Sequence, residues 1–375
     1  MPRILRALLT ALTLGLWLDF SSARAATPNL FDVQSESPML SEFDHAPTYI
    51  KAQVLVPDSY DRMPERRYPT IYLIHAFNED YRFSARKLQS WQDAFRANHA
   101  EFILVALDAA LPSGHHEFAD SANNGPWGTA LTSEFLPEFE KNFRAIPSPA
   151  ARYLTGHSSG GWSALWLQVN YPETFGGAWA ISPDPVDFHD FTGPNLTLDP
   201  PQNFYRDLRG HTYGLFRSRA SDMMTLRNYV LLEDRGGPGG QIDSFDAVFS
   251  PRGADGRPER LFDHRTGVID PAVARYWEEH YDIARLLKDR WPALGPKLLG
   301  KLHVVVGTWD TFHLDEPVRL LEQELHSLGS DAEFVYAQHY DHFNIYDFDG
   351  GLIRREVGAM KRRLEGDGVA TSLER

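Results

Sequence analysis

The chain has no cysteine among its 375 residues. That excludes a disulfide framework, a thiolate metal site and lipid attachment through a cysteine. Basic charge is scarce too: 37 Lys and Arg stand against 51 Asp and Glu, for a formal net charge of −14. With no basic stripe, nucleic acid and anionic membrane surfaces are not expected partners. Beyond the N-terminus no apolar run reaches the length of about 18 residues that a membrane-spanning helix needs, so no span is expected in the mature chain. Internal repeats, low-complexity tracts and an H-E-x-x-H pattern are all missing. His115-His116 and His157 recur without carboxylate–histidine spacing on one helix, so no metal or other cofactor is expected. Aromatic residues, by contrast, make up 13% of the chain, as befits a globular body.

The first residues read as an export signal. Arg3 and Arg6 form a charged start, Ala7 to Leu18 is mostly apolar, and Ala23-Arg24-Ala25 is an A-x-A cleavage site. Residues 1–25 are therefore expected to be removed, with a periplasmic or secreted mature chain beginning at Ala26. Residues 26–375 are read as one α/β domain with a long insertion.

Short apolar runs alternate with helical periodicity, the pattern of a mostly parallel sheet covered on both faces. Strands are expected over Tyr49–Val56, Thr70–His75, Phe102–Leu107, Ala151–Thr155, Gly177–Ser182, Leu302–Val306 and Ala332–Ala337. Helices fit over Ser84–Asn98, Leu131–Phe143, Ser159–Val169, Pro317–Leu328 and Gly351–Arg363. Between Ser182 and Leu302 the rhythm breaks into Pro- and Gly-rich stretches, with one helical pattern at Ala272–Leu287. Residues 186–298 are read as an insertion or cap before the last two core strands.

Inside Tyr153 to Leu167, Gly156-His157-Ser158-Ser159-Gly160 fits G-x-S-x-G, the nucleophile elbow of α/β-hydrolases. The expected strand before it and helix after it supply the required context. A serine hydroxyl needs a base, and the base needs a third group to orient it; in this fold the order is Ser, acid, His. Asp310, just past the LHVVV strand, is the expected acid; Asp315 and Glu316 read instead as first-turn helix carboxylates. Should Asp310 not serve, Asp184 and Asp187 past the GAWAIS strand are the next candidates. Two histidines follow the last strand, and His342, further into the loop than His339, is preferred as the base. The oxyanion hole is assigned to the N–H groups of Ser159 and of Phe77, in the loop after the strand equated with the fold's third. His75 is read as structural there, and Trp127 and Trp162 as core residues before stacking platforms.

Tyr68 to His75, Leu131 to Arg144, Arg152 to Gly161 and Tyr171-Pro-Glu-Thr-Phe175 together resemble the "Putative esterase" family, which includes esterase D, feruloyl esterases, enterochelin esterases and the mycolyltransferases. The resemblance implies the α/β-hydrolase fold, metal-free acyl hydrolysis or transfer, and Ser158, Asp310 and His342 as the triad. Where the family usually has His-Gly after the third strand this chain has His75-Ala76, whose Cβ resists φ > 0. The expected function is an exported serine esterase acting through an acyl-enzyme on a small-molecule or glycan ester. Acyl transfer to a sugar or other alcohol, and a non-catalytic binding protein on a hydrolase scaffold, are the alternatives.

Overall fold

Nine strands form the central sheet of the computed structural model, which describes residues 20–24, 29–219 and 221–369. In chain order they are β1 (Phe20–Arg24), β2 (Leu30–Glu36), β3 (Tyr49–Leu55), β4 (Thr70–Ile74), β5 (Ile103–Leu107), β6 (Arg152–His157), β7 (Gly177–Ile181), β8 (Leu302–Gly307) and β9 (Glu333–Ala337). Their spatial order is β1-β2-β3-β5-β4-β6-β7-β8-β9. The first three pairings are antiparallel and the other five parallel. This is an α/β-hydrolase sheet. The seven strands expected from apolar runs are all present.

β1 and β2 were not expected. Of the anticipated signal segment, residues 1–19 and 25 lie outside the described residues, while Phe20–Arg24 pairs with β2 at the sheet edge. β2, with sequence LFDVQSE, is polar at alternate positions because it packs on one face only. The strand equated with the fold's third is thus fourth along this chain.

Both faces of the parallel region are covered. Ile71, Leu104 and Tyr153 pack with Trp91 of helix α1 (Ala85–Ala97) and with Met360 of helix Leu352–Gly366. Their neighbours Tyr72, Val105 and Leu154 point the other way, toward Leu167 of helix α2 (Ser159–Asn170) and Phe139. Alternation between two apolar layers explains why these strands are near-continuously hydrophobic. Asp282 divides the expected Ala272–Leu287 helix into Pro271–Tyr281 and Ile283–Leu298. Its backbone is extended, and its carboxylate accepts the Arg285 N–H to cap the second helix.

The insertion is folded. Its described residues form a two-stranded ribbon, Gly214–Ser218 with Ser221–Thr225, and four helices including Leu226–Gly236 and Gln241–Phe249. Phe188, Phe191, Phe245, Phe249 and Trp277 share one apolar cluster with Trp162 and Trp166 of α2. Among the described residues no helix is long and apolar enough to cross a membrane.

Candidate active site

Strand β6 turns sharply into α2, and the residue at the turn is Ser158. Its backbone lies at φ 57°, ψ −122°, a conformation costing about 1–3 kcal/mol for a residue with a Cβ. The turn closes only because its neighbours lack side chains. A Cβ on Gly156 would sit 2.2 Å from the Gly160 carbonyl oxygen, and one on Gly160 would sit 2.1 Å from that of Ile74. Strand, turn and helix therefore interlock through glycine, and the serine is displayed at the sheet's carboxyl edge.

The loops after β8 and β9 are stitched to each other. Thr308 N–H donates to the Ala337 carbonyl at 3.0 Å and Trp309 N–H to that of Tyr340, also at 3.0 Å. This brings Asp310 and His342, from opposite ends of the stitch, into a 2.9 Å hydrogen bond between Oδ2 and Nδ1. Asp310 is wholly buried and also accepts the Phe312 N–H at 3.0 Å. Burial pushes its pKa up, but the His342 charge, the His342 hydrogen bond and the Phe312 N–H outweigh that, and the net shift is downward. His157 Nε2–H donates to the His342 carbonyl at 3.0 Å and the Phe312 ring stands edge-on to the imidazole, fixing the ring's place. His339, by contrast, is exposed at the strand end with its ring against Trp309.

Ser158 and His342 open on the same cavity of about 220 Å³. The Ser158 hydroxyl does not donate to His342 here. It donates to Asp184 Oδ1 at 3.0 Å, and the next hydroxyl, Ser159, donates to Asp184 Oδ2 at 2.6 Å. Gln241 of the insertion reaches the same carboxyl oxygen at 3.3 Å. Burial, then the nearby Glu117 carboxyl, push the pKa of Asp184 up to about 7 against the opposing Ser159 and Ser158 hydrogen bonds. Glu117 is itself pushed well above the usual carboxylate range by burial, and accepts from Ser163. By sequence Asp184 stands behind Asp310, as a substitute acid. Its place three residues past β7, on the edge where such sites assemble, was the available signal. Asp187 is turned elsewhere and accepts from His189.

The expected oxyanion donors are placed as follows. Ser159 N–H is the first of α2, where amides have no intrahelical partner. Phe77 lines the cavity, in a turn held by His75: His75 Nδ1–H donates to the Ala76 carbonyl at 2.7 Å and Nε2 accepts the Ala109 N–H at 2.9 Å. Ala76 is accommodated because the left-handed residue of this turn is Asn78, at φ 58°. His115 and His116 each spend a ring nitrogen on a backbone carbonyl, of His75 and Asp108. Trp127 and Trp162 are buried away from the cavity, stacked on His116 and Trp166.

The insertion builds one wall of the cavity with Phe191, Phe216, Tyr229, Ile242 and Phe245, facing Phe77, Phe312 and Phe343 of the core. Among the described residues no Lys or Arg lines it, whereas Asp184 and Glu79 do. Arg217 of the insertion ribbon reaches the acid's loop from behind, donating to the Asp310 carbonyl at 3.1 Å and to Asp315 at 2.6 Å. A larger groove of about 710 Å³, beside α1 and helix Leu352–Gly366, reaches His157 but neither Ser158 nor His342.

Over residues 45–188 the chain matches the "Putative esterase" family. This segment carries the elbow, the Phe77 turn and Asp184. Esterase MT1326 and Esterase Rv1288 of Mycobacterium tuberculosis are each 30% identical to this chain over 127 residues, 33% of its length. The matched stretch is 27% of the length of either relative. Among solved structures, a ferulic acid esterase superposes with a TM-score of 0.57 at 15% identity, covering 92% of this chain and all of the other. An S-formylglutathione hydrolase from Agrobacterium tumefaciens gives 0.51 at 15% identity, covering 93% and 98%. FphF, a fluorophosphonate-binding serine hydrolase of Staphylococcus aureus, gives 0.53 at 12% identity, covering 89% and 98%. At such identities the likeness establishes the α/β-hydrolase fold, and the esterase match rests on the family segment.

Proposed function

We propose that this chain is an exported serine esterase that hydrolyses uncharged esters with an apolar or aromatic group. The reading is carried by one arrangement: a buried, hydrogen-bonded Asp310–His342 pair opening on the same cavity as a serine at the apex of a glycine-flanked elbow. In the reaction His342 takes the Ser158 proton as Oγ attacks the ester carbonyl, and Ser159 and Phe77 N–H groups hold the oxyanion. His342 then gives that proton to the departing alcohol. Water, deprotonated by the same imidazole, resolves the acyl-enzyme to acid and free serine. Asp310 keeps the imidazole in the required tautomer and offsets its charge.

The substrate class follows from the cavity. Its aromatic walls suit apolar groups, and a lining with carboxyls but no Lys or Arg disfavours anionic substrates. Export rests on the charged, apolar and A-x-A segments of residues 1–25. Cleavage after Ala25 would remove β1, paired among the described residues only to β2, and leave the parallel ladders intact.

A fluorophosphonate probe tests the enzyme assignment: labelling of the wild type that disappears in Ser158→Ala supports it. The Ser158–Asp184 hydrogen bond is also what a non-catalytic scaffold would display, and absence of labelling at any pH would favour that reading. A panel of neutral and anionic nitrophenyl esters tests the substrate class, and N-terminal sequencing of the exported protein tests the cleavage site.

A further inference from the structure

Asp184 plays no part in the triad, yet it is the side chain that actually holds the nucleophile. Its two oxygens take the Ser158 and Ser159 hydroxyls, one on each, and Gln241 approaches from the insertion. With the Ser158 hydrogen engaged there, it is not available to His342. This carboxylate, 3.0 Å from the attacking oxygen, also faces the place where a negative tetrahedral intermediate must form. Two negative charges so close in a buried site repel strongly.

Resting on the esterase reading above, we propose that Asp184 is a positioning residue that restrains the nucleophile while ionised and releases it to His342 when protonated. The acid form carries a hydrogen on one of its oxygens. It therefore ceases to demand the Ser158 hydrogen, and it presents no charge to the forming oxyanion. The proton comes from solvent and returns to it, so nothing is consumed. The local charges support this. Asp184 is faced by Glu117 and His115 from the segment after β5, by His342 from the loop after β9, and by Tyr229 from helix Leu226–Gly236. Burial holds His115 down at about 4 and Tyr229 above its ordinary value, so both are neutral around pH 7. Protonation of Asp184 around neutrality is then set chiefly by its burial and by the second buried acid, Glu117. Gln241 places one donor to this carboxyl on the insertion.

The test is the rate of fluorophosphonate labelling of full-length protein from pH 5 to 9. For the wild type we expect an alkaline limb falling about tenfold per pH unit above neutrality. Asp184→Asn loses that alkaline limb. A merely structural Asp184 would instead lower the rate at every pH and leave the profile's shape unchanged; that result, or a wild-type rate flat to pH 9, overturns the proposal. Gln241→Leu gives an independent reading should Asp184→Asn fold poorly. Loss of a donor to the carboxylate moves the alkaline limb to higher pH, and an unmoved limb counts against Asp184. Absence of wild-type labelling throughout strikes at the esterase reading instead, so the two failures are distinguishable.

Discussion

Asp310 and Asp184 invite comparison because they begin alike. Each lies three residues past the end of a parallel strand, β8 and β7 respectively, at the same edge of the sheet, and each is buried. Desolvation alone would make both neutral acids. Asp310 escapes because an imidazole and backbone N–H groups converge on it, which lowers its pKa. Asp184 receives two hydroxyls and an amide but shares its surroundings with Glu117, and its pKa rises. At equal burial the two carboxyls part company over what converges on each, an imidazole and backbone N–H groups on one, hydroxyls and a second buried carboxyl on the other.

The sharpest way to break that contrast is through the imidazole. His342→Ala should cut turnover of a neutral nitrophenyl ester by about 10⁵–10⁶, while exposed His339→Ala stays within about tenfold of wild type. Reversal of the two would move the base, and the partner of Asp310, to His339. Next comes the pair itself. Asp310→Asn should cost about 10⁴ in kcat, because the imidazole loses its orienting anion. Asp184→Asn, measured at pH 6, should stay within about tenfold. Comparable losses would mean that the two carboxyls do one job.

Smaller effects sharpen the picture. Arg217→Ala removes the guanidinium that steadies the Asp310 and Asp315 loop from the insertion. Activity should fall about tenfold, equivalent to ~1.4 kcal/mol, with about 2 kcal/mol of stability lost in urea unfolding. The last expected effect is thermodynamic rather than kinetic. Asp184, pushed up to about 7, keeps a proton in the native state that the unfolded chain has already released above pH 4. Its contribution to stability therefore falls as pH rises from about 4 through 7. Relative to wild type, Asp184→Asn should gain about 3 kcal/mol between pH 4.5 and pH 8. Parallel pH–stability curves for the two proteins would argue against the raised value.

Much of the architecture is a local matter. TIYLIH, FILVAL and LHVVV are strands covered on both faces and could be little else at their lengths. G-x-S-x-G between a strand and a helix states its own geometry, since only glycines at 156 and 160 leave room for the crossing backbones. The order Ser158, Asp310, His342 along the chain also named two residues that meet in a 2.9 Å hydrogen bond. A segment whose character depends on a distant partner is less legible in the sequence. Phe20–Arg24 looks like the end of an export signal and is a strand only by virtue of β2. Ala272–Leu287 has one helical period, yet Asp282 breaks it by capping a second helix and accepting the Phe188 N–H.

Periodicity, glycine placement and the order of chemically able side chains are properties of the chain read in one dimension, and they determined the sheet, the elbow and the candidate acid and base. Which carboxyl meets the serine hydroxyl, which oxygen Gln241 reaches from 57 residues beyond Asp184, and whether a buried acid keeps its proton were decided only by folding. Hydrogen bonds and charge–charge coupling act over a few ångströms of space, and separation along the polypeptide says nothing about that distance.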